Sequence, residues 1–523
     1  MQQQEKHIIG ETESVCPVCL KKLSARKVAA ADGIYMEKNC PEHGAFRVLL
    51  WRGSVDEYIN WERQKQQPAE HYCHTHVDKG CPYDCGLCEA HLQQVCCVLL
   101  EVTQRCNLRC PVCFASAGSI AQDPSLEEIG SWYDELMKAG GPFNIQLSGG
   151  EPTMRDDLAE IIRLGKEKGF TYFQLNTNGL RLAEEYAYLQ ELVAAGLSNV
   201  FLQFDGLTEQ PYEVLRGKPL LQQKLKAIEH CRQAKVGLTL VPTVAPAVND
   251  NQVGDILKFA LQQMPAVRGV HFQPVSYFGR CELEQSEQRI TIPDMLAYME
   301  EQTDGMIKKA DFLGGGAENS YCSFHGNFMQ MPDGTVKAIK SESTGCCCTS
   351  SKQSREFVAK RWSVAPVLTT GSSCCSTPAQ PTADSCCAQS VTTTGNQCCG
   401  EPVQSETAGC CSGAAVPAME SSCCGESTQS DCCGTASPSV QTGSCCSNTK
   451  GQAEPSLFDV FIERMENYTL AVSGMLFQDA WNFDLERVRS CYLCEFSPQK
   501  KIVPFCAYNL SSISGETLYR GKD

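Results

Sequence analysis

Three cysteines in one short loop are the residues of this sequence best suited to chemistry. Cys106, Cys110 and Cys113 follow directly on the apolar run Val95–Thr103 with the spacing C-x3-C-x2-C. Three thiolates at that spacing can bind three corners of a cubane iron–sulfur cluster and leave the fourth iron without a protein ligand. A zinc knuckle is the alternative, but structural zinc prefers four protein ligands. The spacing therefore favours a 4Fe–4S cluster with one open coordination position.

The same spacing recurs a short distance upstream. Cys81, Cys85 and Cys88 again read C-x3-C-x2-C. Candidates for a further ligand lie nearby in the sequence: Cys73, His74, His76, Cys96 and Cys97. We expect a second 4Fe–4S cluster here, and a zinc site is the alternative.

The N-terminal region carries a different metal-binding pattern. Cys16 and Cys19 form one half-site, and Cys40 and His43 form another after a short β-type stretch. Two half-sites of this kind predict a Cys3His zinc ribbon, with a rubredoxin-like iron site as the alternative. Four protein ligands leave no open position, so we expect a structural or docking role.

A last group of cysteines lies near the C-terminus. Cys491, Cys494 and Cys506 have spacing that could serve a further metal or cluster, and Cys322 with His325 could also contribute to one. Reduced, partly buried thiols are the alternative interpretation, because free cysteine is among the most buried residue types.

Composition limits the classes of function and location. The chain has 523 residues, 35 cysteines and a formal net charge of −16. The acidic balance argues against nucleic acid as a partner, since nucleic-acid binders carry a basic face. No apolar run approaches a membrane span, and the N-terminus lacks an apolar signal core. We therefore expect a cytoplasmic protein without a membrane partner, whose thiols serve metals rather than disulfides.

Alternating apolar and amphipathic segments should position the first cysteine triad. Such alternation predicts parallel strands joined by right-handed helical crossovers, and six units suit a partial (β/α)6 barrel within an α/β fold. In such folds the chemistry gathers at the C-terminal ends of the strands. The predicted strands are Val95–Thr103, Phe143–Leu147, Tyr172–Leu175, Asn199–Phe204, Gly237–Val244 and Gly269–Pro274. The predicted helices are Leu126–Ala139, Asp157–Lys168, Ala183–Ala195, Leu220–Ala234, Gln252–Gln263 and Pro293–Gln302.

Motifs at successive strand ends carry a family resemblance. The loop of Cys106, Cys110 and Cys113, followed by Phe114, resembles the signature loop of the radical S-adenosylmethionine (SAM) superfamily. The second strand ends in a Gly-Gly-Glu-Pro segment, the third in Asn-Thr-Asn and the fourth before an aspartate, as in that family. The resemblance implies SAM contacts from Gly149, Gly150, Glu151, Pro152, Asn176, Thr177, Asn178 and Asp205. Arg280, after the sixth strand, is a candidate anchor for the SAM carboxylate or the substrate.

The resemblance also implies an activity. The family reductively cleaves SAM to a 5′-deoxyadenosyl radical, so we expect an electron donor such as ferredoxin or flavodoxin. The paired triads and the Cys-Pro-x-Cys opening resemble the class D members, which methylate a pterin with carbon from a methylene-folate-type donor. The protein is therefore expected to transfer a methyl or one-carbon group to a pterin or another small molecule. The sequence names no catalytic residue beyond the cofactor sites.

A cysteine-rich insert lies outside that resemblance. Cys346–Cys348 and seven Cys-Cys pairs occur within residues 341–455, between linkers that contain almost no core-forming side chains. Such a segment cannot bury enough apolar surface to offset its ordering entropy, so we expect a disordered arm. Adjacent thiols suit soft metals, and vicinal cysteines also resemble the TrsS-type branch of radical SAM proteins. Slippage-expanded sequence with little function is the plainest alternative.

These features divide the chain into five predicted parts. Residues 1–70 are the zinc-ribbon-like module, 71–95 the second cluster segment and 96–340 the partial barrel. The arm covers residues 341–455, and residues 456–523 form a small C-terminal segment. Two other functions stay open: radical modification of a thiol-bearing peptide or of a metalloid such as arsenic, and soft-metal binding by the arm. Intact SAM-type motifs speak against the last.

Overall fold

A computed structural model provides the architecture of the chain. It describes residues 7–62, 73, 75–118, 122–283, 288–316, 318–339, 355–356, 359, 362–363 and 456–521. These residues belong to one compact unit built from 1–367 and 455–523, whereas the second unit, 368–454, lies outside the described residues. The predicted disorder of the arm and its cysteine pairs also lies outside them, because 341–354 and 364–455 are not described.

The N-terminal module is a four-stranded antiparallel sheet. Its strands are β1 (His7–Val15), β2 (Lys22–Ala30), β3 (Gly33–Cys40) and β4 (Gly44–Arg52), paired in sequence order. Helix α1 (Val55–Trp61) follows and begins at a capping box in which Ser54 and Glu57 satisfy each other's free backbone N–H groups. Trp51 of β4 packs against Tyr58 of α1 and against Tyr321. These contacts join the module to the rest of the unit.

A largely parallel sheet forms the centre of the unit. The strands are β5 (Cys97–Thr103), β7 (Asn144–Gly149), β8 (Phe173–Thr177), β9 (Asn199–Gln203), β10 (Gly237–Val241) and β12 (Val267–Pro274). They are neighbours in that order. Every residue of β10 is buried, as expected for a strand covered on both faces. The six predicted strands and the α/β class are confirmed.

Two further parallel strands extend this sheet from beyond the insert. β17 (Thr469–Met475) pairs with β12, and β18 (Leu493–Phe496) pairs with β5. Antiparallel strands β15 (Ser323–Gln330) and β19 (Ile502–Pro504) then flank β17 and β18. The alternation of strands and helices does not reveal β17 and β18, because no long crossover helix precedes β18 and the insert separates β17 from the barrel segment.

Helices cover the outside of the sheet. Helix α2 starts at a capping box of Ser125 and Glu128 and buries Ile129, Tyr133 and Leu136. The helices of this region are α2 (Leu126–Lys138), α3 (Leu158–Glu167), α4 (Leu180–Glu184), α5 (Tyr186–Ala195), α6 (Gln210–Arg216), α7 (Leu221–Gln233), α8 (Val253–Gln262) and α9 (Ile292–Gln302). The six longest, all but α4 and α6, match the predicted helices to within a few residues, whereas the short α4 and α6 are not predicted by the sequence pattern.

The remaining elements are short, apart from one helix after the insert. The helices are α10 (Leu457–Asn467), α11 (Leu485–Arg489) and α12 (Phe505–Tyr508). The strands are β6 (Val112–Cys113), β11 (Thr243–Val244), β13 (Arg280–Cys281), β14 (Leu313–Gly314) and β16 (Val336–Ala338). None of the described helices has both the length and the apolar character that a bilayer crossing requires.

Candidate functional site

The first cysteine triad sits at the C-terminal end of β5, where the alternating pattern places it. Cys106, Cys110 and Cys113 all line one cavity of about 250 Å³. The Arg280 guanidinium holds their loop in place, since its Nε donates to the Cys110 carbonyl oxygen at 2.7 Å. A short antiparallel pairing of β13 with β6 fixes the same loop from the side. Arg280, predicted as a cofactor anchor, thus lines the cavity and also braces the triad.

Burial disfavours the thiolate form of two of these cysteines, Cys106 and Cys110. It raises the pKa of the Cys106 thiol to about 12, and burial also raises the pKa of Cys110. A group that binds as a thiolate therefore needs a strongly positive partner at this place. Three soft donors on one loop fit an iron–sulfur cluster of the predicted kind.

Two glycines allow the end of β7 to approach the triad loop. A Cβ on Gly149 would lie 2.1 Å from the Thr103 carbonyl oxygen, and one on Gly150 would lie 2.2 Å from the Arg105 carbonyl oxygen. The backbone N–H of Gly150 donates to the Thr103 carbonyl at 2.8 Å. Only glycine fits this contact, so the Gly-Gly pair sets the spacing between two walls of the cavity.

The Glu151 carboxylate ties the second and third strand ends together. Its Oε1 accepts from the hydroxyls of Thr153 at 2.7 Å and Thr177 at 2.6 Å, and its Oε2 accepts from the Asn178 backbone N–H at 2.7 Å. Asn176, Thr177 and Asn178 line the cavity together with Gly149, Gly150 and Glu151. Pro152 is buried and begins the turn Pro152–Met154 but is not part of the cavity wall.

The fourth strand end differs from its sequence-based prediction. Asp205, expected to contact the cofactor, is fully buried. The Arg216 guanidinium donates to both of its carboxylate oxygens, from Nε to Oδ2 at 2.8 Å and from Nη2 to Oδ1 at 2.7 Å. Arg216, rather than Asp205, lines the cavity, and it also donates to the Val112 carbonyl oxygen of the triad loop at 3.1 Å. The aspartate therefore acts as a counter-ion behind the wall. The sequence signal for Arg216 is weak, since it lies in a helix far from any motif.

A second cation supports the same wall from behind. Lys224 is fully buried, and its Nζ donates to the Asn178 carbonyl oxygen at 2.5 Å and to Gln203 Oε1 at 3.3 Å. Burial lowers the pKa of Lys224 to about 8. The ammonium thus holds the Asn178 turn in place, and sequence analysis gave no indication of this role.

Three aromatic side chains form another part of the cavity wall. His271, Phe201 and Trp362 lie there, with the imidazole centroid 5.4 Å from the Phe201 ring and 6.3 Å from the Trp362 ring. Burial lowers the pKa of His271 to about 4, so the ring is neutral, and its Nδ1 lies 2.9 Å from the Ser473 hydroxyl. We call this region, formed by Phe201, His271 and Trp362, the aromatic wall.

The N-terminal half-sites meet in one place. The ligand atoms of Cys16, Cys19, Cys40 and His43 all lie within 4.8 Å of one another. His43 Nδ1 is 3.6 Å from the Cys16 sulfur and 3.5 Å from the Cys40 sulfur. Burial opposes ionisation of Cys40, but the backbone N–H of Glu42 and groups of His43 outweigh it and lower its pKa to about 6. Three sulfurs and one imidazole at these separations fit a tetrahedral zinc ion.

The second triad packs between the N-terminal sheet and the C-terminal segment. A hydrogen bond between Cys81 and Cys85 lowers the pKa of Cys81 to about 6 and raises that of Cys85 well above its ordinary value. The charge of Cys88 adds to the rise at Cys85, which places the third thiol in the same neighbourhood. The hydroxyl of Tyr519 accepts the Cys85 backbone N–H at 2.6 Å. These thiols remain the predicted ligands of a second cluster.

The C-terminal cysteines do not stay together as their spacing predicts. Cys491 and Cys506 line a small cavity of about 20 Å³, which Cys322 also lines. Arg487 Nε donates to the Cys322 sulfur at 3.3 Å. Cys494, in contrast, is fully buried in the main hydrophobic core and is not part of that cavity wall. Strand β18 points neighbouring side chains to opposite faces, so Leu493 faces the small cavity and Cys494 faces the core. Cys322, rather than Cys494, is therefore the third cysteine of this cavity.

Comparisons with known proteins bear on both halves of this site. Residues 100–260 match the radical SAM superfamily model, and residues 8–52 match the model of the HMPTM N-terminal zinc ribbon domain. The chain thus carries a radical SAM domain and a zinc ribbon.

Among curated proteins, the chain is 45% identical over 309 residues to a 7,8-dihydro-6-hydroxymethylpterin dimethyltransferase of Methanocaldococcus jannaschii. That alignment covers 58% of this chain and 60% of the relative. An Fe-coproporphyrin III synthase of Methanosarcina barkeri is 32% identical over 37% of this chain and 50% of its own length. The chain spans less than two thirds of each of these relatives.

Among solved structures, Streptococcus suis SuiB bound to S-adenosylmethionine aligns with a TM-score of 0.34 and 15% identity, over 41% of this chain and 48% of that one. A likeness of this size supports no functional assignment.

Proposed function

We propose that this chain, whose residues 100–260 match the radical SAM superfamily model, transfers a methyl or one-carbon group to a pterin. The observation that carries the proposal is the shared cavity: the triad and three successive strand ends open onto one space. The substrate class rests on 45% identity to a pterin dimethyltransferase.

The residues present fit the cofactors that the domain implies. Cys106, Cys110 and Cys113 would hold a 4Fe–4S cluster, because they are three soft donors on one loop that opens onto the cavity. Gly149, Gly150, Glu151 and the segment from Asn176 to Asn178 would hold SAM beside it. When bound and reduced, the cluster and SAM supply a carbon-centred radical that abstracts a hydrogen atom.

The chain's own residues then position and protect the reacting groups. Glu151 accepts the Asn178 backbone N–H and Lys224 donates to its carbonyl oxygen, so the turn at Asn178 has little freedom. The Arg216–Asp205 pair holds the triad loop through the Val112 carbonyl. The aromatic wall would shield its part of the cavity from water, which a radical reaction requires. The neutral His271 can donate or accept a hydrogen bond without placing a charge there.

Other metal sites complete the proposal. Cys16, Cys19, Cys40 and His43 would hold zinc in a structural role, and Cys81, Cys85 and Cys88 would hold a second cluster. Cys322, Cys491 and Cys506 would form a third soft site, with Arg487 offsetting the thiolate charge. A ferredoxin- or flavodoxin-type protein would supply electrons, and a methylene-folate-type donor would supply the carbon.

Anaerobic reconstitution with iron and sulfide tests the proposal. We expect 5′-deoxyadenosine in the presence of SAM and dithionite. With a methylene-folate-type carbon donor also present, we expect a mass gain of one carbon unit on 6-hydroxymethyl-7,8-dihydropterin. Cys106→Ala should abolish both, whereas Cys231→Ala, a buried thiol of α7 outside every proposed site, should change neither. Deoxyadenosine without a modified pterin would refute the substrate while retaining the enzyme class.

A further inference from the structure

Two adjacent cysteines that the proposed function does not use lie where β5 begins. The backbone N–H groups of Cys96 and Cys97 both donate to the carbonyl oxygen of Tyr492, at 2.9 and 3.3 Å. Two successive residues thus face one residue of the neighbouring segment, which is a bulge. In a regular strand, neighbouring side chains point to opposite faces. Here the bulge brings the two sulfurs to 3.9 Å from each other.

The pair is buried and borders the main cavity. Cys96 and Cys97 are 1% and 5% exposed, and Cys97 lines the cavity together with Gln146. The hydrogen bond shared with Cys96 and side-chain hydrogen bonds from Gln146 and Asn144 lower the pKa of Cys97 despite its burial. The same bond raises the pKa of Cys96 well above its ordinary value. Cys97, at the edge of the cavity, is therefore the more readily ionised of the two thiols.

A neighbouring hydroxyl has no hydrogen-bond partner within the part of the chain that the structure describes. The Tyr172 phenol is 3% exposed and its oxygen is left without a partner. Burial raises its pKa well above the ordinary value, and the charges of Cys97 and Cys96 add to that rise, which places the phenol within electrostatic range of both sulfurs. An unpaired buried O–H is costly, so a ligand that accepts its hydrogen bond would be stabilised here.

We propose that the Cys96–Cys97 bulge is a two-thiolate site for a trivalent, thiophilic metalloid centre such as arsenic(III), open to the main cavity. A sulfur separation of 3.9 Å lets both thiolates reach one soft centre. Trivalent arsenic hydroxide would form two As–S bonds, and the two thiol protons would leave with two hydroxyls as two water molecules. Arsenic stays trivalent, so no oxidant or reductant takes part. The hydroxyl that remains on arsenic can accept the Tyr172 hydrogen bond.

A strained disulfide between the same residues is the less favourable use of this geometry. Neighbouring cysteines close a small ring, and disulfide geometry is demanding. A bridging arsenic atom needs no such closure, because it can span the observed sulfur separation. The site is independent of the proposed pterin chemistry, and its test needs no turnover.

Phenylarsine oxide is the probe for the test. It takes two thiols, forms two As–S bonds and releases one water. The reconstituted full-length protein is treated with the probe, washed with excess glutathione, alkylated in denaturant and cut after glutamate. Cleavage after Glu89 and Glu101 releases residues 90–101, which contain Cys96 and Cys97 and no other cysteine. This peptide separates the site from the cysteine-rich arm.

We expect the wild-type peptide to carry one phenylarsenic group that resists glutathione and is removed by 2,3-dimercaptopropanol. Cys97→Ser should lower the retained label on this peptide by about tenfold or more, because a single thiol loses the chelate advantage. Cys231→Ser should leave the retained label unchanged. Tyr172→Phe should do the same, because a phenylarsenic group held by two sulfurs carries no hydroxyl to accept the Tyr172 hydrogen bond. An unlabelled wild-type peptide at saturating probe would overturn the proposal even if a variant failed to fold. Equal retention by Cys97→Ser would overturn it as well.

Discussion

The ion pair between Arg216 and Asp205 is the part of the site whose contribution to the free energy of unfolding follows most directly from its geometry. Both side chains are almost completely buried, and the guanidinium binds both carboxylate oxygens at 2.7 and 2.8 Å. Arg216→Leu removes the cation and leaves the carboxylate buried without its charge partner. Breaking a buried pair from one side destabilises a protein by about 3–5 kcal/mol.

The size of the effect on thermal unfolding follows from the size of the unit. Residues 1–367 and 455–523 form one compact body, and unfolding entropies scale as roughly 2.1 cal/mol/K per residue. A loss of about 3–5 kcal/mol then lowers the unfolding midpoint by about 3–5 °C. The same variant should bind less iron at the triad, because Arg216 also holds the Val112 carbonyl oxygen.

Differential scanning calorimetry of three variants is the assay. Arg216→Leu and Asp205→Asn should each lower the midpoint, and the double variant should be less destabilised than the sum of the two. The coupling would come from the charge that each single variant leaves unpaired. A midpoint for Arg216→Leu within 1 °C of wild type, or strictly additive effects, would refute the assignment of Asp205 as a counter-ion.

Four other outcomes follow from the geometry. Gly150→Ala should reduce SAM binding measured by equilibrium dialysis, because its Cβ would lie 2.2 Å from the Arg105 carbonyl; Gly10→Ala, with only one neighbour at 3.8 Å, should not. Cys40→Ser should release zinc measured by mass spectrometry of metals and lower stability, since the ribbon loses one of four ligands. The unfolding midpoint of wild type, relative to that of Lys224→Met, should rise as the pH is raised from about 8 to about 10.5. The buried amine of the folded state releases its proton near pH 8, whereas the amine of the unfolded chain keeps it up to about pH 10.5. The unfolded state therefore binds more protons in that window, and the folded state becomes more stable as the pH rises. Cys322→Ala should lower total iron or zinc content whereas Cys494→Ala should not, as only the former lines the small cavity.

The sequence predicts the loop residues of the site better than the helix residues that support the cavity. Cys106, Cys110 and Cys113 and the Gly-Gly-Glu segment are recognisable because their chemistry depends on spacing within one loop. Arg216 and Lys224 are not, since each lies in a helix and meets the site only through the fold. A buried cation in a helical pattern reads as an ordinary solvated residue until its tertiary partners are known. The sequence likewise places Asp205 at a strand end but does not reveal that Arg216 binds its carboxylate.

Strand topology shows a similar limit. The six strands from β5 to β12 follow from alternation, because each is separated from the next by a helix of regular period. β17 and β18 pair with β12 and β5 although the insert lies between them and the barrel segment. Their pairing depends on long-range contacts that a local pattern does not contain. The alternating pattern therefore predicts the six central strands of the partial barrel but not β17 and β18, which extend the sheet on either side.

The cysteines make the clearest case for this distinction, since all carry the same chemistry and differ only in placement. Spacing grouped Cys491, Cys494 and Cys506, yet a strand turns successive side chains to opposite faces and sends Cys494 into the core. The same rule would separate Cys96 from Cys97, but the bulge at Tyr492 overrides it and brings the two sulfurs together. Backbone register therefore decides which thiols can share a ligand. In this chain the register separates Cys494 from Cys491, although their spacing groups them. It also brings Cys96 and Cys97 together, although a regular strand would point them to opposite faces.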